Sequence, residues 1–276
     1  MMGITYRGKH SRRDIGVIVR TVTRPVLPPP RVLEETVPYR DGSLDFSEQG
    51  GRLFYDDKIA EIEVSVVDKS LPILHRRIAK VAAWLCGGYG DLIFDDMPYT
   101  VWTAKPIDVD GIAPELQRVG KTIVQFRCRP FNHLSFNSQG VKLDSKVRLD
   151  TDLPLNYGLD SEITVVNGTQ ELSYDYIGDA PVRPDIVISG PMREITITIN
   201  GKSLLIRSGV PFDTYGGVVI DCENWRCIGM DGTAVDGSAG EYMELIPGKN
   251  TIKTTCSYAG TMKLVFFPNY LYGSDF

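Results

Sequence analysis

Residues able to do catalysis are few and scattered. The three histidines, His10, His75 and His133, all lie in the first half of the chain, far apart in sequence. A helix-borne zinc hydrolase needs two histidines in an HExxH run, and none occurs. Gly237-Ser238-Ala239-Gly240 lacks the GxSxG spacing of a nucleophile elbow. There is no P-loop and no GxGxxG; Gly87-Gly88-Tyr89-Gly90 fits neither and reads as a helix stop. Asp56-Asp57 and Asp95-Asp96 are carboxylate pairs of the type that cleaves glycosidic bonds. Adjacent strand residues point to opposite faces, so neither pair converges on one substrate without a turn. Both are expected to be solvated loop carboxylates.

Metal and sugar chemistry have better-placed residues. Asp108-Val109-Asp110-Gly111 opens like a calcium loop but lacks a third ligand and the distal glutamate. Residues 230–241 offer Asp231, Asp236 and Glu241 among glycines, a composition that also makes ordinary loops. Cys222 and Cys227 have no second Cys/His pair nearby, so they read as core thiols rather than zinc ligands. No metal and no cofactor is expected. Tyr215, Trp225, Tyr242 and Tyr258 fall in loops or strand ends, where aromatics can stack on a carbohydrate. Asn167-Gly168-Thr169 matches a glycosylation sequon, but nothing points to a secretory route.

These residues must be held by a mainly β protein. The chain has 276 residues, 27 of them glycine and 17 proline, which favours many turns and short strands. Its net charge of −5 does not suit a general nucleic-acid binder. The basic start (Arg7, Lys9, His10, Arg12, Arg13) is followed by no apolar core, and no apolar run is long enough to cross a membrane. The odd, scattered cysteines read as reduced thiols of a protein made in the cytosol. Residues 59–67 alternate cleanly at Ile62, Val64 and Val66, a half-buried strand. Residues 15–19, 92–94, 99–104 and 122–128 also read as strand, with Asp95 to Pro98 as a hairpin turn.

One helix interrupts the strands. In residues 71–86, Leu74, Ile78, Val81 and Leu85 make one apolar stripe, with Ser70 as N-cap and Gly87-Gly88 as stop. Its charged side, Arg76, Arg77 and Lys80, is expected to face solvent. Residues 24–38 are proline-rich and expected to be extended and exposed, with polyproline II character at Pro28-Pro29-Pro30. A boundary after Pro130 and a polar connector to about residue 151 divide the chain into residues 1–135 and 136–276. The second part reads as short strands separated by turns, with Asn200-Gly201 as the strongest hairpin signal, hence a β-sandwich.

The order of segments resembles the distal tail protein of siphophages, mainly those infecting Gram-positive bacteria. The likeness rests on Gly8-Lys9-His10-Ser11 with Asp14-Ile15-Gly16-Val17, and on Val37-Pro38-Tyr39-Arg40-Asp41-Gly42. It continues through Tyr55-Asp56-Asp57, the helix ending in Trp84-Leu85, Leu92 to Asp96, and Val124 to Pro130. In the second half it rests on Asn167-Gly168, Arg183 to Ile188, Val218 to Cys222, and the turn Leu245-Ile246-Pro247-Gly248-Lys249-Asn250-Thr251-Ile252. One departure is that residues 169–180 intervene between Asn167-Gly168 and the proline that usually follows soon after.

The resemblance implies a structural virion protein rather than an enzyme, and it brings no catalytic residues. It implies a split β-barrel-like N-terminal domain with a helix, forming a homohexameric ring, and a galectin-like β-sandwich C-terminal domain. The ring would join the tail tube protein to the tail-tip hub (a tail-associated lysin or fibre-type protein) and could dock receptor-binding proteins. Its place would be the virion tail tip, after assembly in the host cytoplasm. A closed ring needs one patch to meet a different patch on the next copy. The candidate ring-arm contacts are Arg24, Pro28, Pro29, Pro30, Arg31 and Arg40. The competing reading is a carbohydrate-binding module touching host cell-wall polysaccharide through Tyr215, Trp225, Tyr242 and Tyr258.

Overall fold

A computed structural model describes residues 3–49, 52–68, 70–109, 113–116, 119–135, 162–235 and 237–273. The polar connector after Leu134, with Asp110, Gly111 and Asp236 of the two calcium-like loops, lies outside the described residues. The chain divides into two compact units. The first comprises residues 1–133 and also takes in residues 271–274; the second covers residues 134–270 with 275–276.

The first unit is built on one antiparallel sheet. Its strands are β1 (Ile4–Tyr6), β2 (Lys9–His10), β3 (Ile18–Thr23), β4 (Glu34–Thr36), β5 (Ser43–Asp45) and β6 (Lys58–Val67), followed by helix α1 (Leu71–Leu85). Then come β7 (Gly90–Phe94), β8 (Met97–Val109), β9 (Ala113–Leu116), β10 (Val119–Cys128) and β11 (Asn132–Leu134). The main order is β2-β1-β7-β8-β10-β6-β3, so the sheet is open rather than a closed barrel, while β4 and β5 pair only with each other. In β6 the expected alternation holds: Ala60, Ile62, Val64 and Val66 are buried. Against it, α1 buries Leu74, Val81, Trp84 and Leu85. Ser70 takes the N-cap place with extended backbone, but its side chain makes no capping bond. Where β10 meets β8 the register slips between Gln125 and Phe126, which lets Pro106 sit in a long strand without breaking the ladder.

Two expectations are corrected here. Residues 15–19 are not one strand, because Ser11–Ile15 makes a single π-type turn closed by a Gly16 N–H bond to the Ser11 carbonyl (2.9 Å). Gly16 ends it at φ 83°, a conformation glycine adopts without strain. The proline-rich stretch is not simply extended either: Pro28 is buried, and Glu34–Thr36 folds back on Ser43–Asp45 as a hairpin.

The second unit is a β-sandwich. It holds β12 (Glu162–Val165), β13 (Gly168–Tyr176), β14 (Asp185–Ser189), β15 (Glu194–Ile199), β16 (Lys202–Arg207) and β17 (Val218–Asp221). It continues with β18 (Arg226–Gly229), β19 (Ser238–Gly240), β20 (Gly248–Cys256), β21 (Gly260–Val265) and β22 (Asn269–Tyr270). Two five-stranded sheets, β12-β21-β14-β17-β18 and β13-β20-β15-β16-β19, enclose one apolar cluster. Asn200 and Gly201 both have positive φ (50° and 85°), as a two-residue hairpin turn requires. The residues inserted after Gly168 form β13, paired with β20 from Gly168 to Tyr176. The motif turn before β20 is pinned by buried Asn250: its Oδ1 accepts from Asn200 Nδ2 (2.7 Å) and Ile246 N (2.8 Å), and its Nδ2 donates to the carbonyls of Ile246 and Gly248.

Candidate functional site

The residues that could do chemistry are taken up in holding the first unit together. His10 caps the Ser11–Ile15 turn: its Nδ1 accepts from the N–H groups of Arg12 and Arg13, both at 3.1 Å. Its Nε2 therefore carries the proton and faces the Asp95 carboxylate at 3.2 Å. Asp95 also accepts from Gly3 N (2.8 Å). This His–Asp pair has the geometry of a base and its orienting acid, yet both ring nitrogens are occupied, so it offers no free nitrogen to a substrate. The other carboxylates are engaged as well. Asp96 takes a two-pronged bond from Arg24 (3.1 and 2.8 Å), which holds its carboxyl below the usual range. Asp56 accepts from Arg31, and Asp57 from the Tyr89 hydroxyl. Asp231 caps its own turn through Thr233 N. These carboxylates are thus engaged in local bonds, while Asp56 remains exposed as a loop carboxylate.

A buried cation sits deeper in the same unit. Lys58 starts β6 and is 1% exposed. Its Nζ lies 4.2 Å from the centroid of the Trp102 ring and donates to the carbonyl of Leu271 (2.9 Å). Burial pushes its pKa down to about 8, with the neighbouring Cys128 opposing slightly. The same burial pushes the Cys128 thiol up to about 12, so no ion pair forms between them. Around Lys58 the returning residues 271–273 are held tightly. Tyr272 stacks edge-on to Trp102 (6.1 Å between centroids), its carbonyl accepts from Asn132 Nδ2, and the Arg24 guanidinium lies 5.4 Å from its ring.

The proposed arm residues divide into an anchored base and a free tip. Arg24 binds Asp96 and also lies over the Phe94 ring (4.9 Å), so its charge is spent within its own chain. The Pro29 carbonyl accepts from Asp56 N, Pro30 bridges to Tyr55, and Arg31 N donates to the Phe54 carbonyl. Beyond that base every residue from 31 to 43 is exposed, including Arg40, Leu33, Val37 and Tyr39. Tyr39 at the tip has φ 65°, and Gly42 has φ 80°.

The four aromatics of the second unit divide into two that pack on the core and two that are exposed. Tyr215 and Tyr242 pack on the core, their hydroxyls reaching Ser208 Oγ (3.0 Å) and Cys227 Sγ (3.6 Å). Trp225 and Tyr258 are exposed, at 66% and 56%. Among the described residues, no ring contact joins any two of the four. Trp225 stands at the β17–β18 turn with φ 56°, beside the Arg183 guanidinium (6.0 Å). Cys222 and Cys227 are buried, in keeping with core thiols.

No sequence signal marked Lys58, because a lysine at a strand end reads as solvated. Nor did any mark residues 271–273. Among the described residues, no helix is long and apolar enough to cross a membrane.

Comparison with known proteins agrees with this anatomy. No curated protein matches the sequence significantly. The chain is similar in structure to the crystal structure of the SPP1 Dit (gp 19.1) protein, described as a paradigm of the hub adsorption apparatus in phages that infect Gram-positive bacteria. The TM-score is 0.65 at 16% identity, over 98% of this chain and 99% of that one. Residues 13–128, from the π-type turn to the end of β10, match the family described as the phage tail protein RIFT-related domain. Residues 13–128 thus match a phage tail domain, and the chain as a whole shares the fold of that phage protein.

Proposed function

We propose that six copies of this chain form a ring adaptor that joins a siphophage tail tube to the tail-tip hub and its host-adsorption proteins. One observation carries the reading: the β4–β5 hairpin leaves Leu33, Val37 and Tyr39 exposed, on a ribbon whose strands pair only with each other among the described residues. A lone two-stranded hairpin is marginally stable in water, so a partner surface accounts for its order. The likeness to SPP1 Dit over nearly the whole chain supports the same role. The first unit is the ring-forming one, residues 1–135 in sequence terms. Arg31, Arg40 and the prolines belong to the arm that reaches the neighbour, while Arg24 anchors its base. Assembly takes place in the host cytoplasm, and the role is structural rather than enzymatic.

Light-scattering mass after size exclusion tests this, backed by negative-stain images. Six copies of the 30.7 kDa chain give about 184 kDa and ring-shaped particles. A 31 kDa species that stays monomeric with the tube and hub proteins present overturns it. The carbohydrate-binding reading keeps one specific support, the exposed Trp225 beside Arg183. Trp84 and Trp102 are buried, so a change in tryptophan emission on adding host wall polysaccharide reports on Trp225.

A further inference from the structure

Helix α1 and the Ser11–Ile15 turn frame an open groove of about 410 Å³. Its floor is apolar, with Ile15 buried and Ile73 46% exposed. Its rim is basic: Arg13, Arg76, Arg77 and Lys80 line it, against Asp14 alone. The charged side of α1 faces solvent as expected, and two of its cations also bond to their own unit. Arg77 donates to the carbonyls of Gly16 and Val67 and pairs with Asp68, and Lys80 Nζ donates to the Asp14 carbonyl. Arg13 and Arg76 pair with no carboxylate among the described residues. A chain of net charge −5 thus gathers four cations on one face, two of them with no ion pair among the described residues.

The complementary surface is on the same chain but elsewhere in the unit. The hairpin and its flank carry Glu34, Glu35, Asp41, Asp45 and Glu48, and Glu35, Asp41 and Glu48 have no ion pair among the described residues. Beside these carboxylates stand the exposed Leu33, Val37 and Tyr39. Five carboxylates with apolar side chains on the hairpin and its flank, against Arg40 at the tip, meet base with apolar in the groove.

We infer that the β4–β5 hairpin of one copy seats in the groove between α1 and the Ser11–Ile15 turn of the next copy. The inference rests on the ring proposed above and adds which patch meets which. The two patches differ, so the contact is head-to-tail, the kind that closes into a ring when the rotation suits. Carboxylates of the hairpin supply the missing partners of Arg13 and Arg76, and Tyr39 or Leu33 covers Ile73. Both surfaces are exposed, so charge reversal there leaves the fold of a single copy intact.

The test is a charge swap, read as assembly mass under the conditions in which the wild type assembles, with circular dichroism confirming the fold. Arg13→Glu with Arg76→Glu is one variant; Glu35→Lys with Asp41→Lys is the other. Each alone is expected to weaken assembly by about tenfold or more. Mixing the two variants, or combining all four changes in one chain, is expected to restore it, because hairpin and groove are again opposite in sign. Rings that persist unchanged in both variants overturn the docking while leaving the ring itself standing. Loss without rescue overturns it too. A groove variant that forms rings but no longer binds the tube protein assigns the groove to the tube instead. A wild type that never assembles removes the ring reading, a different failure from these.

Discussion

The sandwich ties its buried amide with neighbouring turns; the first unit ties its buried cation with residues from far along the chain. In the sandwich both sheets turn their apolar residues inward, and the buried amide of Asn250 finds all its partners within its own loop and the next. In the first unit a buried ammonium is satisfied by a carbonyl from residue 271, residues 31–43 are exposed, and Arg13 and Arg76 have no ion pair among the described residues. Both units have a complete apolar core, so stability does not separate them. What separates them is how far along the sequence their buried polar groups find partners: Asn250 within its own turn and the Asn200 turn, Lys58 across 213 positions.

The largest test of that contrast is Trp102→Ala. Trp102 is wholly buried, edge-on to Phe94 and Tyr272 and beneath Lys58. The change is expected to cost about 3–5 kcal/mol. Calorimetry should show the first unit melting early while the sandwich transition stays in place. An equal drop in both transitions would break the comparison.

Next comes the buried cation. In the folded chain Lys58 titrates at about 8, below its ordinary 10.5. Between those values the unfolded chain holds the proton more tightly, so stability rises as pH rises through the window, by at most about 3 kcal/mol. Lys58→Met should flatten that slope in urea unfolding. An unchanged slope would mean that Lys58 is hydrated.

The hairpin gives a smaller effect on the single copy and a larger one on the assembly. Leu33→Ser with Tyr39→Ser should shift monomer stability by less than about 0.5 kcal/mol while weakening the ring. A marked loss of monomer stability would show the hairpin packing on its own chain. The smallest change is expected from Trp225→Asn. Asparagine tolerates the positive φ that tryptophan holds there at a cost, so a gain of up to about 1 kcal/mol is expected in thermal melts. If that variant also loses a polysaccharide-induced emission change, the sandwich binds sugar; if the wild type shows no such change, that role falls away.

Much of the fold was legible where local pattern and burial agree. The alternation at Ile62, Val64 and Val66, the stripe Leu74–Ile78–Val81–Leu85 and the Asn200-Gly201 turn each encode their element in a few residues. The rest depends on partners distant in sequence. An apolar run from Ile15 to Val19 reads as strand, yet His10 caps a turn across it with the help of Asp95, which is 85 positions away. Glu34-Glu35-Thr36 lies among prolines that argue against pairing, and only its match to Ser43-Leu44-Asp45 makes the hairpin. Lys58 gave no sign of burial, because its cover comes from Trp102 and a carbonyl 213 positions downstream. The groove was half visible: α1 showed its cations, but not the turn that faces them.

The return of residues 271–273 to the first unit has a consequence in time. Synthesis runs from the N-terminus, and domains tend to fold as they emerge. Here the first unit cannot seat Tyr272 against Trp102, or satisfy Lys58, until the whole sandwich has been translated. A chain cut short anywhere in the second unit leaves the first one unfinished. The element made first is thus completed last.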